Sequence, residues 1–175
     1  MKLLTLLAAV CLWAAPFDHP SFYGIPFNSI SGNAINTQSL RGKTVLVTVL
    51  GKGVTSSPFI RFLDSLQRTT ANVKILLVPT TDFGDSIRTA ALSKLQQDLQ
   101  LTITSEMHVK RANGTEQHPL FAWLTNVISN RHFDMDAKEE GVCFIIGANG
   151  ILYSVLPSNT PQAIISAAVK QQFQE

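Results

Sequence analysis

Few side chains in this sequence could carry covalent chemistry, and they do not cluster. The 175 residues include two cysteines, Cys11 and Cys143. A disulfide framework is therefore impossible, and no cysteine pair stands at zinc-ligand spacing. Cys143 lies inside the apolar stretch Val142-Cys143-Phe144-Ile145-Ile146, where a cysteine packs as a small hydrophobe. No basic residue within three positions would stabilise its thiolate, and Glu139 and Glu140 would oppose ionisation. A denser polar group follows the pattern His132-Phe133-Asp134-Met135-Asp136, with Glu139 three residues on. Its oxygens and imidazole are ligands a divalent cation takes. It lacks the turn glycine and closing glutamate of a calcium loop, so a solvated acidic loop is the expectation. His118, ahead of Pro119, reads as a locally hydrogen-bonded helix-entry residue rather than a general base. Thr55, Ser56 and Ser57 read as helix caps, since no His–Asp partner has an identifiable place. Asn113-Gly114-Thr115 is an N-glycosylation sequon in an expected exposed loop. No pattern calls for a cofactor.

Composition narrows the class further. With 14 Lys+Arg against 12 Asp+Glu, and 45% hydrophobic against 15% charged residues, neither a nucleic-acid binder nor a disordered chain is expected. Lys2, the apolar run 3–13 broken only by Thr5, and Ala14-Ala15-Pro16 form the three-part pattern of a secretory signal peptide. That run is too short to span a bilayer comfortably. The expectation is a leader over residues 1–15 and a single domain over 16–175, secreted or held in the secretory-pathway lumen. Without the leader the chain would keep one thiol, Cys143, and no membrane span.

The elements that must position these residues alternate between strand and helix. Residues 21–35 alternate polar and apolar side chains around Ser31-Gly32-Asn33, a hairpin pattern. Residues 44–50 (TVLVTVL) and 73–78 (VKILLV) read as strands buried on both faces. Between them Phe59, Phe62, Leu63 and Leu66 recur at helical spacing. Ile87, Ala90, Ala91, Leu95 and Leu99 mark a second helix, and residues 120–128 a third. Residues 142–146 and 152–156 flank Gly147-Ala148-Asn149-Gly150, whose Asn-Gly pair is a strong hairpin signal. A last helix is expected to open at Thr160-Pro161, Thr capping and Pro at the first position, with an apolar face of Ala163, Ile164, Ala167, Ala168 and Phe173. Strand–helix–strand followed by an antiparallel hairpin and a closing helix is the thioredoxin arrangement.

A collinear set of motifs resembles the glutathione peroxidases. Residues 21–43 (SFYGIPFNSISGNAINTQSLRGK) are similar to the N-terminal segment of that family. Val78-Pro79-Thr80-Thr81-Asp82-Phe83-Gly84 resembles its Phe-Pro-Cys-Asn-Gln-Phe-Gly motif. Ala112-Asn113-Gly114 with His118-Pro119-Leu120-Phe121 resembles its Val-Asn-Gly…His-Pro-Leu-Tyr segment. Cys143-Phe144-Ile145-Ile146-Gly147 with Asn149-Gly150 resembles its closing hairpin. The resemblance implies an α/β, thioredoxin-like fold of the glutathione peroxidase type: a central mixed sheet flanked by helices, with an N-terminal β-hairpin. It also implies hydroperoxide reduction, with glutathione or thioredoxin as reductant.

The positions that would carry that chemistry are altered. The family holds a cysteine or selenocysteine in a Lys-Cys-Gly-Leu-Thr type turn after the core strand, where it must ionise to attack a peroxide. Here the turn reads Gly51-Lys52-Gly53-Val54-Thr55, and Gly53 or a deletion takes the nucleophile's place. The family's Gln corresponds to Asp82, and its Trp and Asn to Glu139 and Glu140. Lys52, Asp82 and Glu139 are expected to converge on the altered pocket and turn it into a charged cleft, closed by a Lys–carboxylate pair. The degenerate set points to a non-catalytic binding or structural homologue, with a protein or small-ligand partner. The alternative is a peroxidase working through Cys143 or a neighbouring subunit.

Overall fold

Uninterrupted aliphatic and β-branched composition puts one strand at the centre of the molecule. The computed structural model describes residues 21–51 and 58–171. The expected leader, Lys52, Gly53, Thr55, Ser56, Ser57 and Phe173 lie outside them. All seven residues of β1 (Thr44–Leu50) are buried. β1 pairs in parallel with β2 (Val73–Pro79), from Thr44 opposite Val73 to Leu50 opposite Pro79. β3 (Thr102–Ile103) extends the parallel set beyond β2. On the other side β4 (Cys143–Ile146) runs antiparallel to β1, with Thr48 opposite Cys143, and β5 (Leu152–Leu156) runs antiparallel to β4. The order is β3-β2-β1-β4-β5.

Alternation along β1 divides the interior into two cores. Val45, Val47 and Val49 face a layer built from Phe22, Tyr23, Leu120, Phe121 and Trp123. Leu46 and Leu50 face the opposite layer, where α1 (Pro58–Thr69) contributes Ile60, Leu63 and Leu66. α2 (Thr89–Asp98) adds Leu92 to that layer, and α5 (Gln162–Lys170) adds Ile165 and Val169. A strand buried on both faces needs no polar side, which is why its sequence lacks one.

Several expectations need adjustment. The N-terminal hairpin is reduced to one bridge, Asn28 to Ala34, supported by Ser29 N–H to Asn33 C=O at 2.8 Å and Ile35 N–H to Phe27 C=O at 2.9 Å. Its aromatic lead is a 3-10 turn over Phe22–Gly24, because Phe22 and Tyr23 are both drawn into the core. β3 was not anticipated; two residues are too few to show periodicity. Its outer side is closed by the amide of Gln96, which accepts from Ile103 N–H and donates to Leu101 C=O, both at 2.9 Å. The third helix is two: α3 (Pro119–Thr125) and α4 (Val127–Asn130) are separated by Asn126, whose extended backbone and side chain cap α4. α5 begins one residue later than expected, with Pro161 at the cap and no side-chain bond from Thr160. Ile165 and Val169 form its buried face, whereas Ile164 is 52% exposed.

Candidate functional site

In a parallel α/β sheet the chemistry sits beyond the carboxyl ends of the strands, which here means Gly51 at the end of β1. Two segments converge on it. Residues 140–142 run beside the strand, with Gly141 N–H donating to Val49 C=O at 2.8 Å. Thr80, just past β2, donates its N–H to Leu50 C=O at 3.3 Å. Gly51 itself is buried, and a Cβ there would fall on the carboxyl group of Glu140. Glu140 is therefore the carboxylate lying against the end of β1. Glu139, expected in this place, turns away and accepts from Ser158 N–H at 3.0 Å.

Asp82 is tied down separately. Its side chain is 5% exposed, and its Oδ2 accepts from Val109 N–H at 2.6 Å, Lys110 N–H at 2.9 Å and Asn113 Nδ2 at 2.8 Å. Its Oδ1 meets His108 Nδ1 at 3.0 Å. Lys110 Nζ closes the circle, donating to Asp82 C=O at 2.6 Å and lying 4.2 Å from the Phe83 ring centroid. Burial alone would raise the Asp82 carboxyl. The bonds from His108, Lys110, Val109 and Asn113 outweigh it and hold the carboxyl below its ordinary range. The same bond to Asp82 raises the His108 imidazole. Asp82 thus clasps residues 108–113; Asp82 and Glu139 bond different partners, and Lys52, the third member of the expected convergence, lies outside the described residues.

The polar group at 132–139 is dispersed. Arg111 pairs through its guanidinium with Asp134 and through its N–H, at 3.1 Å, with Asp136. His132 is exposed, placed by its N–H bond of 2.8 Å to Asn130 Oδ1. No group of three or more His, Cys, Asp or Glu side chains that could hold a metal ion occurs among the described residues. His118 does cap α3, its Nδ1 accepting from Leu120 N–H at 3.1 Å, and burial lowers its pKa in keeping with a neutral acceptor.

Cys143 is fully buried in β4. Burial pushes its thiol up to about 12, opposed only in part by Thr48 across the ladder. The sulfur's contact with Gly141 C=O, at 3.5 Å, leaves it the weak donor of a protonated thiol. Sequence reasoning missed His108, Lys110 and Arg111 as partners of the acids. The one signal was a basic run, His108-Val109-Lys110-Arg111; the acids it bonds, Asp82, Asp134 and Asp136, are remote in sequence.

No protein-family model matches the sequence, and no curated protein does. Solved structures do match in shape. T. cruzi GPX1 superposes with a TM-score of 0.66 at 16% identity, covering 86% of this chain and 94% of that one. Trgpx in its apo form gives 0.63 at 22% identity, covering 87% and 97%. The dsbF protein of M. tuberculosis gives 0.55 at 11% identity, covering 86% and 96%. The fold is thioredoxin-like, of the glutathione peroxidase type. The likeness spans nearly the whole of each of these three chains. The end of β1, with Gly51 and Glu140, is its candidate site.

Proposed function

We propose that this chain is an exported, glutathione-peroxidase-like protein that has kept the scaffold and lost the redox centre, acting through binding rather than turnover. The observation that carries this reading is the state of Cys143: buried, with its thiol pushed up to about 12. Peroxide reduction starts when a thiolate sulfur attacks one peroxide oxygen, giving a sulfenate and releasing the other oxygen as water or alcohol. Two reductant thiols then return the sulfur to thiolate. Residues 51–55 encode no thiol for this step, and Cys11 falls within the expected leader. Glu140 at Gly51 adds a negative charge where an anion would have to form, which works against ionisation.

Export rests on the leader pattern of residues 1–15. In that setting Asn113 is the glycan acceptor; its side-chain nitrogen keeps one N–H after modification and can still donate to Asp82. A mass shift on enzymatic removal of N-glycans from the secreted protein, absent in Asn113→Gln, is the expected result.

The decisive experiment is hydrogen peroxide consumption with glutathione or thioredoxin as reductant, comparing the wild-type chain with Cys143→Ser. Neither is expected to exceed the uncatalysed rate. Turnover in the wild type that disappears in Cys143→Ser overturns this reading in favour of a peroxidase working through Cys143.

A further inference from the structure

A cleft of about 1020 Å³ opens at the opposite end of the molecule from Gly51. It is lined by Thr44, the first residue of β1, so it lies about 23 Å from Gly51 at the rise of an extended strand. Its size suits a small molecule rather than a single ion. Val169 and the ring of Tyr153 give it an apolar wall, and His132 and Lys170 supply polar groups.

Charge settles the class of ligand. No Asp or Glu lines the cleft among the described residues, whereas His132 and Lys170 do. Lys43 stands between the lining residues Gly42 and Thr44. Lys74 is close enough to Lys43 that, after burial, its charge is the next cause lowering the Lys74 pKa. The ion pairs among the described residues involve none of Lys43, Lys74, His132 and Lys170. Among the described residues, the charge at the cleft is basic, around a partly apolar hole.

We infer that the cleft binds an amphipathic anion, a small molecule with one carboxylate or sulfonate head and an apolar body. The head meets Lys170; the body lies along Val169 and Tyr153. The inference stands apart from the fate of the redox centre, since it concerns the other end of the sheet.

The test is calorimetric titration of the full chain with decanoate and with its uncharged counterpart 1-decanol. One-site decanoate binding is expected, at least about tenfold tighter than decanol and weakening as salt is raised. Lys170→Gln should weaken decanoate about tenfold and leave decanol unchanged. Ala148→Trp, which fills the cleft from its rim, should abolish both, with circular dichroism confirming that each variant is folded. Absence of saturable decanoate binding overturns the inference, as do equal affinities for the two ligands or indifference to Lys170→Gln. Binding that emerges only when the chain is ended after Gln171 also overturns it, by assigning the cleft to the protein's own last residues.

Discussion

Asp82 is the buried anchor of the segment over residues 108–113. As an ionised acceptor it collects four donors from residues 108–113, a set no neutral amide could satisfy, since an amide brings two donors of its own. Asp82→Ala should therefore cost roughly 2–4 kcal/mol of stability, read as a lower urea midpoint. The stability gap between wild type and Asp82→Asn should depend on pH. The folded Asp82 pKa lies below its ordinary 3.8, so its contribution is present above 3.8 and fades as pH falls through the lower folded value. His108 is raised above 6.5, so its share is full below 6.5 and fades as pH rises through the folded value. The gap should be widest between 3.8 and 6.5. Much at this scale was legible in sequence. An apolar strand foretold the burial of Cys143, and a His-Pro pair foretold the cap of α3. The partners of Asp82 were not, because they sit 26 to 31 positions away on a loop with no periodic signal. Nor could sequence decide between neighbouring Glu139 and Glu140; a half-turn of backbone determines which one reaches Gly51.

Elements with two buried faces or a strong turn pair were the readable ones. β1, β2 and the β4–β5 hairpin announce themselves through unbroken apolar runs and Asn149-Gly150. Short pieces whose shape depends on distant anchors were not readable, as with the 3-10 turn at Phe22–Gly24 and the two-residue β3. The helix α5 was found but rotated, since alanines on its exposed side imitate an apolar face. Two predictions belong here. Gln96→Ala removes the amide that answers Ile103 N–H and Leu101 C=O, so the Ile103 amide should exchange with deuterium markedly faster while the β1 amides do not change. Gly150→Ala should destabilise by roughly 1–3 kcal/mol in thermal unfolding. Its φ is +85°, and the added Cβ would fall on the Tyr23 ring.

At the scale of the molecule, one sheet separates two apolar layers, and Cys143 sits in the sheet beside β1 with its side chain in the α1 and α5 layer. Reaching that sulfur requires opening the central strands. Alkylation of Cys143 in urea should therefore track the loss of far-UV signal, with one midpoint; labelling well before that midpoint would mean the two layers come apart separately. The Tyr23 contact carries a different consequence, one of timing. Its hydroxyl donates to Ala148 C=O at 2.7 Å across 125 positions, and its ring packs where any larger residue at 150 would stand. During synthesis from the N-terminus, Tyr23 emerges long before its seat exists. Tyr23 must wait, unsheltered, until the β4–β5 hairpin has been made, so the interval most exposed to chaperones and proteases is set by the distance from residue 23 to residue 150.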